Sequence, residues 1–291
     1  MSTLRLATVV FTITSVVQAF VLQSGTSATS ASSRTRRGSG GGRRSTRMSM
    51  TMAEPTPSPS HMFANAKAVL FDVDGTLADS WRLGYDATVV VLKNNHVEEI
   101  TEDLYHECTK YATPERLARH AGYVPGDTDF ERVGLQLGDE YDTLYVGLVT
   151  TKTAGFYSGI TELLDDIPDN VQLGALTNAC VKYAEAVLNV NGRAGSRFGS
   201  IRGADNVPAP KPSPDGLLAV CNDLGVDPKD CVYIGDSPSD IFAAKNAGMP
   251  AIGVLWGSHS EESLQKAPFD FLCKTVEELK ALLPTIKTAV L

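Results

Sequence analysis

Cysteine is scarce in this chain: five residues in 291, at positions 108, 180, 221, 231 and 273, with no Cys-x-x-Cys pair and no even framework. That usage speaks against both a zinc ribbon and a disulfide scaffold, and a reducing compartment fits better. Long hydrophobic runs are also missing. The apolar stretch Ala7–Val17 holds about eleven residues, where roughly 20 are needed to cross a bilayer. Glycine and proline together make only 40 residues, which excludes collagen-like and low-complexity chains. Acidic residues are absent from Val21–Met52, yet abundant afterwards.

With 43% apolar and 21% charged residues, the bulk of the chain can bury a substantial core. The net charge of −8 is unevenly spread. Residues 1–61 carry seven Arg against one acidic residue, Glu54, so residues 62–291 stand at −14. A body that acidic, without a basic patch, repels nucleic acid and anionic lipid, and neither is an expected partner.

The first sixty residues read as an address. Val17-Gln-Ala19 ends the apolar stretch in the small-residue spacing that a signal peptidase accepts, and the Ser/Thr/Arg-rich segment behind it has transit-peptide composition. With Phe20 just past the expected cut, the arrangement resembles the bipartite plastid presequences of algae with secondary plastids. The expectation is a chloroplast protein, with secretion as the alternative and no membrane anchor in the mature form. Pro55-Thr-Pro-Ser-Pro59 marks a linker, and the folded body should begin near Phe63.

From there apolar runs alternate with helical patterns. Strands are expected at Lys67–Phe71, Val171–Leu176, Cys231–Ile234, Ala251–Leu255 and Phe269–Cys273. Helices are expected at Lys182–Val190, Pro214–Leu224 and Ser239–Ala247, with Gly225 and Gly248 as C-caps. A capping box at Thr275–Glu278 opens a last helix. Such alternation predicts an α/β fold, a Rossmann-like parallel sheet with helices on both faces, whose site lies at the carboxyl ends of the strands. Residues 80–157 break the alternation. Leu83, Ala87 and Val90 fall at helical spacing, as do Val133, Leu137, Tyr141, Leu144 and Leu148. Thr113-Pro114 reads as an N-cap with Pro in the first turn. The expected organisation is a presequence and linker over 1–61, a core over 62–79 and 158–291, and an inserted all-helical cap over 80–157.

Four motifs stand out, three at expected strand ends and one on a loop ahead of a helix. In Phe71-Asp-Val-Asp-Gly-Thr-Leu77, two carboxylates two residues apart can be aimed separately, one as nucleophile and one as proton donor and acceptor. Gly75 allows close approach of the backbone to a phosphate, and Thr76 can anchor the turn. Leu176-Thr-Asn178 offers a hydroxyl and an amide for phosphoryl oxygens, although a plain turn into the next helix reads equally well. Lys211-Pro-Ser-Pro-Asp215 is a rigid loop carrying a cation. Ile234-Gly-Asp-Ser-Pro-Ser-Asp240 places Asp236 at a strand end and Asp240 in the first turn of a helix, where it either supports the site or favours the helix dipole.

These motifs, in this order and setting, resemble the haloacid dehalogenase-like superfamily of aspartate-nucleophile phosphatases, and within it the phosphoglycolate phosphatases. Asp79-Ser80 match that pattern too, and Asp74 argues against a true dehalogenase, which lacks a carboxylate there. The resemblance implies that Asp72 forms an aspartyl-phosphate. Asp74 would protonate the leaving alcohol and activate water, with its main-chain carbonyl on magnesium. It further implies that Gly75, Thr177, Asn178 and Lys211 hold the phosphoryl group, that Asp72, Asp74 and Asp236 hold Mg2+, and that Asp240 stands behind them. The insertion would be a lid that selects the substrate, with Ala154–Gly159 as its hinge.

The charges point to the cation independently. Asp72, Asp74, Asp236 and Asp240 oppose a single Lys211, and each unit repulsion at ~4 Å amounts to about 4 kcal/mol at an effective dielectric near 20. A small divalent ion with oxygen ligands relieves this. The expected function is magnesium-dependent hydrolysis of a small phosphorylated metabolite, first 2-phosphoglycolate. A sugar-phosphate phosphatase or phosphomutase is the alternative, and a non-catalytic phosphate-binding protein the alternative of another class.

Overall fold

The structure is a computed structural model that describes residues 66–282. The expected presequence and linker, and the start near Phe63, lie outside the described residues.

The first strand, β1 (Ala68–Phe71), is buried along its whole length. Its side chains alternate, Val69 and Phe71 entering one hydrophobic cluster and Ala68 and Leu70 another. A strand buried on both faces belongs to the middle of a layered α/β sheet, which is why the run Ala-Val-Leu-Phe carries no polar residue. Five helices precede the next strand, and the first four form the insertion: α1 (Trp81–Asn94), α2 (Glu102–Cys108), α3 (Thr113–His120) and α4 (Phe130–Gly147). The chain then returns through α5 (Ile160–Asp166), β2 (Gln172–Leu176), α6 (Val181–Val190), the short α7 (Gly192–Gly195) and β3 (Phe198–Arg202). It continues with α8 (Asp215–Leu224), β4 (Cys231–Gly235), α9 (Pro238–Asn246), β5 (Ala251–Val254), α10 (Glu261–Leu264), β6 (Phe271–Cys273) and α11 (Val276–Leu282).

All strand pairs are parallel, and the spatial order is β3-β2-β1-β4-β5-β6. The chain builds one side of the sheet from β1 outward to β3, then crosses to the other side of β1 for β4 to β6. The carboxyl end of β1 is therefore the point where the winding reverses, and a crevice opens there. The α/β class and the parallel sheet match the sequence reading.

Several local expectations need correction. β3, Phe-Gly-Ser-Ile-Arg, was not expected: it pairs only with β2 and is partly exposed, so it lacks the apolar run that marks the inner strands. Thr113 is not an N-cap. Ala112 holds that position, Pro114 lies in the first turn, and Thr113 is itself buried. Val90 is 43% and Leu148 40% exposed. The buried arc of α1 centres on Ala87, Thr88 and Val91, leaving Val90 on its rim, and Leu148 lies just beyond the end of α4. Gly225 and Gly248 do adopt the left-handed conformation past their helices, with φ of 66° and 76°.

The two segments joining the four helices to the sheet run side by side. Asp79 N–H donates to the Gly155 carbonyl at 3.0 Å, Tyr157 N–H to the Leu77 carbonyl at 2.9 Å, and Ala78 forms an antiparallel bridge with Phe156.

Asp142, on the inner side of α4, gives a pH prediction. Burial pushes its carboxyl up from 3.8 to about 6, against the partial relief of Arg116. A raised carboxyl binds its proton more tightly folded than unfolded, so stability is lost as pH rises from about 4 to about 6. After allowance for water access, the charged form costs about 1–2 kcal/mol at neutral pH. Asp142→Asn is expected to raise Tm at pH 7 by about 2–4 °C, with the gain gone near pH 4. Thermal unfolding at the two pH values checks it, and an equal shift at both would contradict it.

Candidate active site

Three of the four motifs follow directly on strands of the central trio. Asp72 succeeds β1, Thr177 succeeds β2, and Asp236 succeeds β4, with Asp72 N–H donating to the Ile234 carbonyl at 2.9 Å. Because these three strands are neighbours, their ends converge without help from any loop. Lys211 arrives from the loop ahead of α8, where the Lys211–Pro212 peptide is cis.

Lys211 is 5% exposed. Its Nζ lies 2.5 Å from Asp72 Oδ1 and 2.7 Å from Asp240 Oδ1, with the Tyr233 hydroxyl and the Leu176 carbonyl each at 3.3 Å. Burial opposes the ammonium charge, but Asp240 and Asp72 outweigh it and the lysine pKa is raised. Asp72 is pushed well above the ordinary carboxylate range. Burial is the main cause, followed by the charge of Asp240, and Lys211 relieves only part of it.

Asp74 turns away from this lysine. Its Oδ1 accepts from Tyr183 at 2.5 Å, Ser80 at 2.6 Å and Tyr145 at 3.1 Å, and its Oδ2 from Thr177 at 3.2 Å. Tyr145 comes from α4 and Tyr183 from α6, their rings stacked at 3.9 Å. Four hydroxyls thus fix the second carboxylate, and Tyr145 links it to the helical insertion.

The other expected residues do definite things here. Asn178 donates to the Lys211 carbonyl at 3.2 Å and accepts from the Lys211 N–H at 2.9 Å, so its amide places the lysine loop. Thr177 Oγ1, besides reaching Asp74, accepts from Ala179 N–H at 3.0 Å, so the hydroxyl serves the turn and the site together. A Cβ at Gly75 (φ 77°) would collide with the Asp236 carboxylate, so the missing side chain makes room for that residue. Thr76 does not anchor its turn through the hydroxyl, which is buried without a partner. Instead its carbonyl accepts from Trp256 Nε1 at 3.0 Å. Asp240 closes a capping box with Ser237 at the start of α9, and it is wholly buried against Lys211.

Sequence reasoning missed Ser80, Tyr145, Tyr183, Ser258 and His259 as site residues. Ser258 N–H donates to Asp236 Oδ2 at 2.7 Å, and His259 Nδ1 lies 3.5 Å from the same oxygen. Only Ser80 left a signal, as the second half of the Asp79-Ser80 pair.

Carboxylate oxygens of Asp72, Asp236 and Asp240 lie within 4.8 Å of one another, all three residues buried. An all-oxygen, strongly negative set suits a hard divalent cation such as magnesium, not a soft one. Above it is a cavity of about 100 Å3. Its floor is Asp72, Asp74, Lys211 and Asp236, and its roof includes Tyr105, Arg116 and Tyr141 from the helical insertion.

A parallel sheet with a carboxylate pair, a buried lysine and a further acidic group at its switch point has the form of an aspartate-based hydrolase site. Residues 69–254 match the haloacid dehalogenase-like hydrolase family, and the chain belongs to it. It is a phosphatase, a hydrolase of phosphoric monoesters. It is 30% identical over 236 residues to a phosphoglycolate phosphatase of Shigella dysenteriae, a match covering 75% of this chain and 92% of that one. It is 29% identical over 218 residues to the validoxylamine A 7'-phosphate phosphatase of Streptomyces hygroscopicus, covering 74% and 96%. The crystal structure of CbbY from Rhodobacter sphaeroides in complex with phosphate is similar with a TM-score of 0.59 at 26% identity, covering 74% of this chain and 96% of that one. Among the described residues, no helix is long and apolar enough to cross a membrane.

Proposed function

We propose that this chain is a magnesium-dependent phosphatase that hydrolyses a small phosphomonoester through an aspartyl-phosphate on Asp72, with 2-phosphoglycolate the first choice of substrate. The observation that carries the reading is the pairing of Asp72 with Lys211 on the cavity floor, beside an Asp74 held by four hydroxyls.

A carboxylate oxygen of Asp72 attacks phosphorus while the bond to the alcohol oxygen breaks, and Asp74 delivers the proton that the alcohol takes away. Water then attacks the phosphorus of the acyl phosphate and gives a proton to Asp74. Phosphate leaves, and both carboxyl groups return to their starting states. Lys211 neutralises charge on Asp72 and the transferring group, and Asn178 keeps Lys211 in place. Magnesium, when bound by Asp72, Asp236 and the Asp74 main-chain carbonyl, supplies Lewis-acid polarisation of the phosphoryl oxygens and offsets the carboxylates. Asp240, already bonded to Lys211 and Ser237, supports this group instead of completing it.

The substrate choice draws on the phosphoglycolate phosphatase relatives and on a cavity that suits a small ester. The plastid address expected of residues 1–61 points the same way, since oxygenation by the carbon-fixing enzyme generates that compound there; import of a fluorescent fusion of those residues tests it.

Phosphate release from a panel of monoesters, with and without a chelator, tests the activity. Magnesium-dependent turnover is expected, with kcat/KM highest on 2-phosphoglycolate. No turnover of any monoester overturns the proposal, whereas preference for a sugar phosphate overturns only the substrate. Conversion of glucose 1-phosphate to an isomeric sugar phosphate would mark a mutase.

A further inference from the structure

Among the described residues two cationic side chains are buried, Lys211 and Arg116, each 5% exposed. Their surroundings are opposite. Lys211 has two carboxylates within 2.7 Å, whereas no carboxylate stands within 4 Å of the Arg116 guanidinium among the described residues. Asp142 feels its charge but forms no ion pair with it. Arg119, one turn further along α3, pairs with Glu115 at 2.7 Å, so an acidic partner was available to this helix and does not serve Arg116.

An arginine cannot shed its charge by losing a proton, and an ionised group out of water without a counter-ion is expensive. The local structure holds Arg116 in place instead of neutralising it. One Nη donates to Thr88 Oγ1 at 2.8 Å, and the Thr88 hydroxyl in turn donates to the Gly84 carbonyl at 2.7 Å. The guanidinium carbon lies 4.6 Å from the Tyr141 ring centroid and 5.4 Å from that of Tyr105. Behind Tyr105 stands His120, both ring nitrogens without partners, whose pKa burial and Arg116 push down to about 3, so it remains neutral. The result is a fixed, planar cation in an apolar and aromatic setting, lining the same cavity as Asp72. Such a fork matches the two oxygens of a carboxylate or phosphate.

We infer that Arg116 is the receptor for a second anionic group of the substrate, a carboxylate or phosphate a few bonds from the phosphoester that Asp72 attacks. The inference rests on the phosphatase reading of this site and narrows its substrate class to short, doubly anionic molecules. The two ends of the cavity then divide recognition: the floor takes the phosphoryl group, and the helical roof takes the other anion. The roof thereby rejects neutral alcohol phosphates, because binding one would leave the guanidinium buried without an anionic partner, its Thr88 hydrogen bond apart.

The test compares 2-phosphoglycolate with 2-hydroxyethyl phosphate, its equal in length but without the carboxylate, and with propane-1,3-diol bisphosphate. Arg116→Gln is expected to lower kcat/KM on the doubly anionic substrates about 100-fold, the scale of lost charge-assisted hydrogen bonds, and on 2-hydroxyethyl phosphate about threefold. The larger loss on 2-phosphoglycolate or on the bisphosphate identifies the anion as carboxylate or phosphate. Arg116→Lys, which keeps charge and bulk but not the fork, covers the case in which the glutamine variant fails to fold, with about tenfold loss confined to the dianions. Equal losses on all three substrates, or none, overturn the inference while leaving the phosphatase intact. In the inactive Asp72→Asn background, calorimetry should show 2-phosphoglycolate binding weakened about 100-fold by Arg116→Gln. Weakened binding in a protein whose parent turns over no monoester would refute the phosphatase reading and keep the receptor.

Discussion

Asp72→Asn is expected to abolish turnover, by on the order of 10⁴-fold or more in kcat, while leaving the protein at least as stable as its parent. The two effects have one origin. Asp72 is buried at the end of β1 and faces Asp240 across a single lysine, so its carboxyl is pushed well above the usual range. With a raised pKa in the folded state, an ionised Asp72 contributes instability that grows as pH rises above the unfolded value. An amide of the same shape removes that charge and leaves Lys211 paired with Asp240. It cannot attack phosphorus to form an acyl phosphate. Loss of activity with equal or higher Tm at pH 8 is the signature of a strained catalytic group, not of a structural one. Acid-quenched turnover should trap a phosphorylated chain in the parent and none in the variant. Activity within tenfold of the parent would remove Asp72 as nucleophile.

The legible part of this protein is the part written locally. Asp72, Thr177 and Asp236 each follow an apolar run that can only be an inner strand, so their convergence follows from the parallel sheet alone. Gly225 and Gly248 mark helix ends because the left-handed conformation there favours glycine. β3 escaped because an edge strand needs no continuous apolar run: Phe198 and Ser200 point inward, and Gly199 lies exposed between them. Tyr145 and Tyr183 escaped for a different reason. They stand 71 and 109 residues from Asp74, and at helical spacing an inward tyrosine reads as core. Both are core, and only the hydroxyl at the tip belongs to the site. Arg116 was equally silent, since an arginine in a helix is ordinarily on the surface.

Asp240 and Gly75 show where local reading and packing diverge. An aspartate in a first helical turn has a sufficient explanation in the dipole and the capping box, and site support is only the equal alternative until packing brings the same carboxylate to Lys211. A glycine after Asp-x-Asp suggests room for a ligand, but the space at Gly75 is filled by Asp236. Gly257 does the same from the other side, where a Cβ would also strike that carboxylate. Two residues without side chains thus make room for Asp236, while Lys211 holds Asp72 and Asp240 beside it.

Lys211→Met is therefore expected to damage the fold and the chemistry together, and a second substitution should separate them. Removing the ammonium leaves Asp72 and Asp240, both previously within 2.7 Å of its Nζ, facing each other out of water. Breaking a buried ionic group in this way destabilises by about 3–5 kcal/mol, and kcat/KM should fall on the order of 10³-fold as the charge opposite the transferring phosphoryl group is lost. Arginine is no remedy, because a planar fork does not fit the point between Asp72, Asp240, Tyr233 and the Leu176 carbonyl that one ammonium fills. Adding Asp240→Asn to Lys211→Met removes the opposed charge while retaining a side chain able to cap α9. Chemical denaturation of the double variant should recover most of the lost stability, yet phosphate release should stay at the level of the single variant. Recovery of both together would make Lys211 a structural counter-ion and nothing more, and no recovery of stability would mean that the strain lies elsewhere than between Asp72 and Asp240.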